Sequence, residues 1–188
     1  MKLRARLIAL ALLCLPAPVA SAGALDDGNA AMRRHDYAAA LEIFGPLGEQ
    51  GSAVAQFNLG VLFDQGYGVP QNYPLAFKWY SKAAAQGLIE AQYVTSYFYR
   101  RGRGMEQDTV RAHMWINLAA SGGLPHANAE RVEQEQEMSR AKIAEAQRLA
   151  VQWLAGHPRP SACPPKSCPR PNWLPKDNWN SPFYWYGL

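Results

Sequence analysis

Between residues 52 and 65, apolar side chains recur at Ala55, Leu59, Leu62 and Phe63. This is the i, i+4, i+7, i+8 spacing of one face of an α-helix. Gly66 and Gly68 follow, and glycine tolerates the left-handed backbone on which helices commonly end. A second apolar face begins after Asn72 with Leu75, Ala76, Trp79 and Ala83, and stops near Gly87. Asn72 is suited to cap that helix, and Pro74 to its first turn. The pattern predicts two helices joined by a glycine-rich turn.

The same pattern returns 36 residues later. Ala55 falls on Ala91, Gly66 on Gly102, Gly68 on Gly104, Gln71 on Gln107, Ala76 on Ala112, Trp79 on Trp115 and Gly87 on Gly123. Other positions keep their type, such as Phe57/Tyr93, Phe63/Tyr99 and Asn72/Asp108. Upstream, Asp36, Ala40, Ile43 and Gly51 match part of the unit. Downstream, Ser139 is placed to cap a last helix with the face Ile143, Ala146, Leu149, Ala150 and Trp153. One helix pair cannot bury its apolar face alone, whereas stacked pairs share a continuous core. The expectation is an all-α solenoid of helix-turn-helix repeats. Glu130, Glu133, Glu135 and Glu137 are expected to form the solvated surface of a closing unit.

Residues 52–87 contain AVAQFNLG, then GYGVPQN, then AFKWYSKAAAQG. These segments resemble the Sel1-like repeat, a relative of the tetratricopeptide repeat. Residues 88–123 resemble a second copy that departs at Thr95-Ser96, where the family has Leu-Gly, and at His113-Met114 before the tryptophan. Residues 27–51 resemble a shortened first repeat, and 124–155 the closing helices. The resemblance implies a right-handed superhelix that recognises protein partners. It names no particular partner, because such repeats are scaffolds for varied ones.

The ends of the chain are different material. Lys2, Arg4 and Arg6 precede the apolar run Leu7–Leu15, and Ala20-Ser21-Ala22 fits a cleavage site. Residues 1–22 therefore read as a secretory signal peptide, which predicts a periplasmic protein, or alternatively one released from the cell. Leu12 and Leu13 stand where lipoprotein processing at Cys14 would want small residues. Removing this segment lowers the basic count from 19 to 16 against 15 acidic residues. That near-neutral balance argues against nucleic-acid binding. No apolar run of 18 residues exists to cross a membrane. Cys163 and Cys168 remain, and in an oxidising compartment their plain reading is a local disulfide.

Residues 156–188 hold eight of the 14 prolines, with Trp173, Trp179, Phe183, Tyr184, Trp185 and Tyr186. Arg159, Lys166, Arg170 and Lys176 outnumber Asp177. Exposed aromatics are costly in water. Trp173, Trp179 and Trp185 are therefore candidate anchors, either on the chain's own solenoid or on an envelope component such as cell-wall glycan. A functionally neutral end is the plain alternative.

Beside the core stripe of the first helices runs a second one: Val54, Phe57, Val61 and Asp64, then Glu90, Tyr93, Tyr97 and Arg100. Tetratricopeptide-like repeats use the corresponding concave face, so the resemblance implies that Phe57, Val61, Asp64, Tyr93, Tyr97 and Arg100 contact an extended protein segment. Phe57, Val61 and Tyr93 have an alternative reading as packing between repeats. Tyr97 and Arg100 carry polar ends that favour solvent. Catalytic patterns are poor. The histidines are scattered, G-x-G recurs as a structural turn, and Ser139-Arg140-Ala141-Lys142 fits S-x-x-K without the companion motif. Cysteine-rich secreted relatives of this repeat family are linked to β-lactam binding, but their disulfides lie within repeats, and this solenoid has no cysteine. The expectation is a monomeric, non-enzymatic adaptor or regulator of the cell envelope, needing no metal or cofactor. An accessory factor acting through its tail, and a β-lactam or peptidoglycan hydrolase, are the alternatives.

Overall fold

The computed structural model describes residues 20–157. The apolar run Leu7–Leu15, the Cys163/Cys168 pair and the tail tryptophans Trp173, Trp179 and Trp185, on which the export, disulfide and tail-anchor expectations fall, lie outside the described residues. Eight helices occur among the described residues: α1 (Ala20–Arg33), α2 (Tyr37–Glu49), α3 (Ala53–Gln65), α4 (Tyr73–Ala85), α5 (Ile89–Arg101), α6 (Thr109–Ser121), α7 (Pro125–Glu137) and α8 (Arg140–Gly156). No strand occurs among the described residues.

Helix starts follow the expected caps. Asp36, Asn72 and Asp108, spaced 36 apart, accept hydrogen bonds from the amides of Ala39, Leu75 and Arg111. Ser139 does the same for Lys142. Each bond satisfies an amide that the first helical turn leaves without a partner. The first unit departs from expectation. Its two helices are α1 and α2, and α1 extends upstream of residue 27 to Ala20. The expected junction after Ala22 falls inside α1.

The pairs stack in order, α1 with α2, α3 with α4 and α5 with α6, and each second helix packs on the next pair. Phe44, Leu59, Leu62 and Trp79 centre one end of the core. Phe57, Tyr80, Phe98, Trp115 and Ile116 centre the other. Each such side chain contributes about 1.5–3 kcal/mol on burial. Small residues set the spacing: a Cβ on Gly60 would meet the Tyr80 ring at 2.5 Å.

The glycine turns join neighbouring repeats as well as ending helices. Gly104 (φ +74) lies against the start of α4, where a Cβ would come 2.5 Å from the Pro74 nitrogen. Gly68, its equivalent, lies against Tyr37 at the start of α2. The closing unit differs from the others. α7 and α8 both rest on α6 rather than closing tightly on each other. Trp153 of α8 meets Trp115 edge-on at 5.9 Å.

Candidate protein-interaction face

The first helices of neighbouring units are linked by crossing side chains, α1 with α3 and α5 with α7, and α3 is tied by Asp64 to Arg103 in the turn after α5. Asn58 on α3 donates to Asn29 on α1 at 3.2 Å. Ser96 on α5 accepts from Gln134 on α7. These contacts place the second stripe expected from the sequence along one row of helices.

Several expected groove residues are already occupied within the fold. Phe57 is 1% exposed and packs against Tyr80, with ring centroids 5.5 Å apart. Tyr93 is buried, donates to Glu130 at 2.7 Å and stands edge-on to His126. Burial, and then Glu130, push the Tyr93 phenol well above its ordinary range, so it stays a donor. Val61 is half-buried against the same core. Phe57 and Tyr93 are therefore packing residues between units, because a first helix wedged between neighbours turns this stripe inward.

Asp64 is also withdrawn from solvent, at 2% exposed. Arg103, in the turn after α5, reaches its carboxylate at 3.5 Å, and Gln65 donates to it at 3.4 Å. Burial raises its pKa, while Arg103, Gln65 and Tyr80 pull it back. Arg100 meets three carboxylates of α7: Glu130 at 3.5 Å, Glu133 at 3.3 Å and Glu137 at 3.1 Å. Burial works against its charge, but the hydrogen bonds and fields of Glu133 and Glu137 outweigh that and raise its pKa. Arg100 is thus an inter-helix brace instead of a solvated groove cation. The α7 glutamates are correspondingly not a plain solvated cap: Glu130, Glu133 and Glu137 hold Arg100, and Glu135 pairs with Arg131.

What remains accessible on this row centres on Tyr97. It is half-buried, with the Arg103 guanidinium 5.6 Å and the Arg101 guanidinium 5.8 Å from its ring centre. Arg103 also lies 4.6 Å over Tyr73. These distances fall within cation–π range. Arg101 is exposed, and so are Glu133 and Glu137 nearby on α7. Glu90 and Val54 are half-buried at the other end of the stripe, and burial raises the Glu90 carboxyl pKa. Sequence reasoning found Tyr97 but missed Arg101, Arg103 and Tyr73. The signal available was spacing: charged pairs that lie about one repeat apart, such as Asp64/Arg103 and Arg100/Glu137, meet across a seam.

Among the described residues, no helix is long and apolar enough to cross a membrane, and no group of three or more His, Cys, Asp or Glu could hold a metal.

Comparison with known proteins agrees with this architecture. The Sel1 repeat family model matches residues 53–88 and 89–124, one residue beyond the boundaries read from the period. Among solved structures, a protective antigen of uropathogenic Escherichia coli displaying an SLR fold is 29% identical, with a TM-score of 0.68 over 73% of this chain. A Sel1 repeat protein from Oxalobacter formigenes is 26% identical, with a TM-score of 0.58 over 69% of this chain. This chain spans only 30% of the first protein and 55% of the second. No curated protein matches. Sel1 repeats are generally protein-interaction modules, and the two matches to their family model cover α3 to α6 of this chain's helical solenoid.

Proposed function

We propose that this chain is an exported adaptor of the cell envelope that holds a segment of one protein partner on its first-helix row, around Tyr97. The observation that carries the reading is the Tyr97 ring set between Arg101 and Arg103, with the exposed carboxylates of Glu133 and Glu137 on the next helix. An aromatic flanked by guanidinium groups is the kind of anchor that dominates protein interfaces. Adjacent charges of both signs would set the register of an extended segment. The basic, apolar and small-residue order of residues 1–22 supports export.

The test is affinity capture from a periplasm-plus-envelope extract, with the full chain and its Tyr97→Ala/Arg101→Glu variant as baits. A protein held by the first and lost by the second, with both baits equally helical, supports the reading. Equal capture by both moves recognition elsewhere. Capture of nothing, together with cofractionation of the native protein with the cytoplasm, overturns both the adaptor and its location.

A further inference from the structure

The large hydrophobic side chains exposed among the described residues are Val132, 46% exposed, and Val151, 66% exposed. Both sit on the closing helices. Val151 belongs to a stripe of small and apolar side chains. Exposed Ala144 lies seven residues before it and exposed Ala155 four residues after. That spacing sets them along one side of α8, away from Ala146 and Ala150, which pack inward on the core. The turn between Ala144 and Val151 carries exposed Gln147 and, beside it, exposed Arg148, which is paired with Glu145. Exposed Ala129 lies one turn before Val132 on α7. In a longer array the next repeat would cover such faces. The two solved relatives are longer than this chain.

The segment that leaves α8 has the chemistry to cover this face. Residues 158–188 contain Trp173, Trp179, Phe183, Tyr184, Trp185 and Tyr186. Their flat rings suit a shallow surface of short side chains, and the polar edges of Trp and Tyr suit a neighbouring amide. Four basic residues against one acidic residue complement α7, where Glu133 and Glu137 are more than 60% exposed. Reach is sufficient. The stretch from His157 to Trp173 spans about 50 Å when extended, and α8 is about 25 Å long.

We propose that residues 158–188 turn back onto the outer stripe of α8 and the Val132 side of α7, standing in for the next repeat. The aromatics bury the stripe, and the basic residues lie toward the α7 carboxylates. This closes the end of the solenoid with the chain's own material. It leaves the Tyr97 ring uncovered but draws on the same Glu133 and Glu137 carboxylates, so the tail and a partner would meet at that edge of the interaction face.

The experiment uses the full chain with Trp173→benzoylphenylalanine, irradiated and mapped by mass spectrometry, with and without Val151→Asp. Thermal unfolding is measured in parallel. The expected result is cross-linking within one chain to residues 125–157. Val151→Asp should reduce that yield severalfold and lower Tm by about 3–5 °C. A residue truly two-thirds exposed would tolerate the aspartate with little change. Cross-links to α3 or α5, cross-links only between chains, or a yield and Tm indifferent to Val151→Asp would each overturn the proposal. The first would put the tail on the interaction face, the second would make a second copy the cover, and the third would leave the stripe bare.

Discussion

Asp64 and Arg100 occupy the same place in successive repeats, 36 residues apart near the end of the first helix, and they carry opposite charges. Both reach across the seam to the following unit. Asp64 meets a single cation, Arg103, and is sealed from water. Arg100 meets three carboxylates, of which Glu133 and Glu137 are open to solvent. What the repeat keeps at this position is a charged tie between neighbours, not a particular charge. The inner seam, between the two full repeats, is tied by one ion pair whose carboxylate is buried. The outer seam, to the closing unit, is a wider polar network. Seams of such different construction should fail under different perturbations.

The largest effect belongs to the inner seam. Gly104→Ala places a Cβ on a left-handed residue and 2.5–2.6 Å from the backbone of Tyr73 and Pro74. Left-handed strain costs about 1–2 kcal/mol and overpacking about 1–3 kcal/mol. A loss of about 3 kcal/mol is expected in urea unfolding. Gly68→Ala should cost less, because its nearest neighbour is the Tyr37 Cβ at 2.8 Å and the Tyr37 backbone carbon is 3.3 Å away. Equal losses would show that the two turns are not the graded contacts described above.

Next comes Arg103→Met, which strands the Asp64 carboxylate. Breaking a buried pair commonly costs about 3–5 kcal/mol. Arg103 is itself 30% exposed, so about 2 kcal/mol is expected. Adding Asp64→Asn should restore much of it, since an amide carries no charge to bury. The Asp64 pKa is raised in the folded state. The folded protein therefore takes up this proton before the unfolded chain does. Lowering the pH toward the ordinary value of 3.8 should shrink the deficit of Arg103→Met. Arg100→Met should cost about 1 kcal/mol. Its deficit arises mainly from the exposed Glu133 and Glu137 repelling each other and the mostly buried Glu130, so about 0.5 M salt should reduce it. The same salt should barely change Arg103→Met, whose stranded charge is buried. If salt acts alike on both, the contrast between the seams fails.

The skeleton of this molecule is legible in the sequence because local rules specify it. Caps at Asp36, Asn72, Asp108 and Ser139, the 36-residue period and the alanine faces are short-range patterns, and each has its counterpart in the structure. The face is only partly legible. Phe57 and Tyr93 read equally well as groove or packing, and only the neighbouring helix decides between them. Arg100 reads as a free cation because its partners lie one repeat further on, beyond any helical period. The full length of α1 escapes the sequence because the match to the repeat fades upstream of Asp36 while the helix continues. The splay of α7 and α8 over α6 has no short-range signal.

The smallest predicted effect concerns acid, and it should be confined to the outer seam. His113 on α6 is fully buried, with neither ring nitrogen hydrogen-bonded and Nε2 3.6 Å from Glu135 on α7. Burial lowers its pKa below the ordinary 6.5, Glu135 pulls it back up, and Arg131 lowers it further. Burial likewise lowers the pKa of His126, which packs on Tyr93 in the same seam. A histidine with a depressed pKa is neutral in the fold while the unfolded chain still binds the proton. Its contribution is therefore complete above about pH 6.5 and is lost as pH falls from there toward the lower folded value. Hydrogen exchange at about pH 7.5 and about pH 5.5, corrected for the intrinsic rate, should show α6 and α7 opening more readily at the lower pH. Helices α2 to α4 should hold, because the inner seam has no buried histidine. His113→Gln should flatten most of the α6–α7 response. Acid sensitivity spread evenly from α2 to α8 would mean that the seams open together, as one cooperative array.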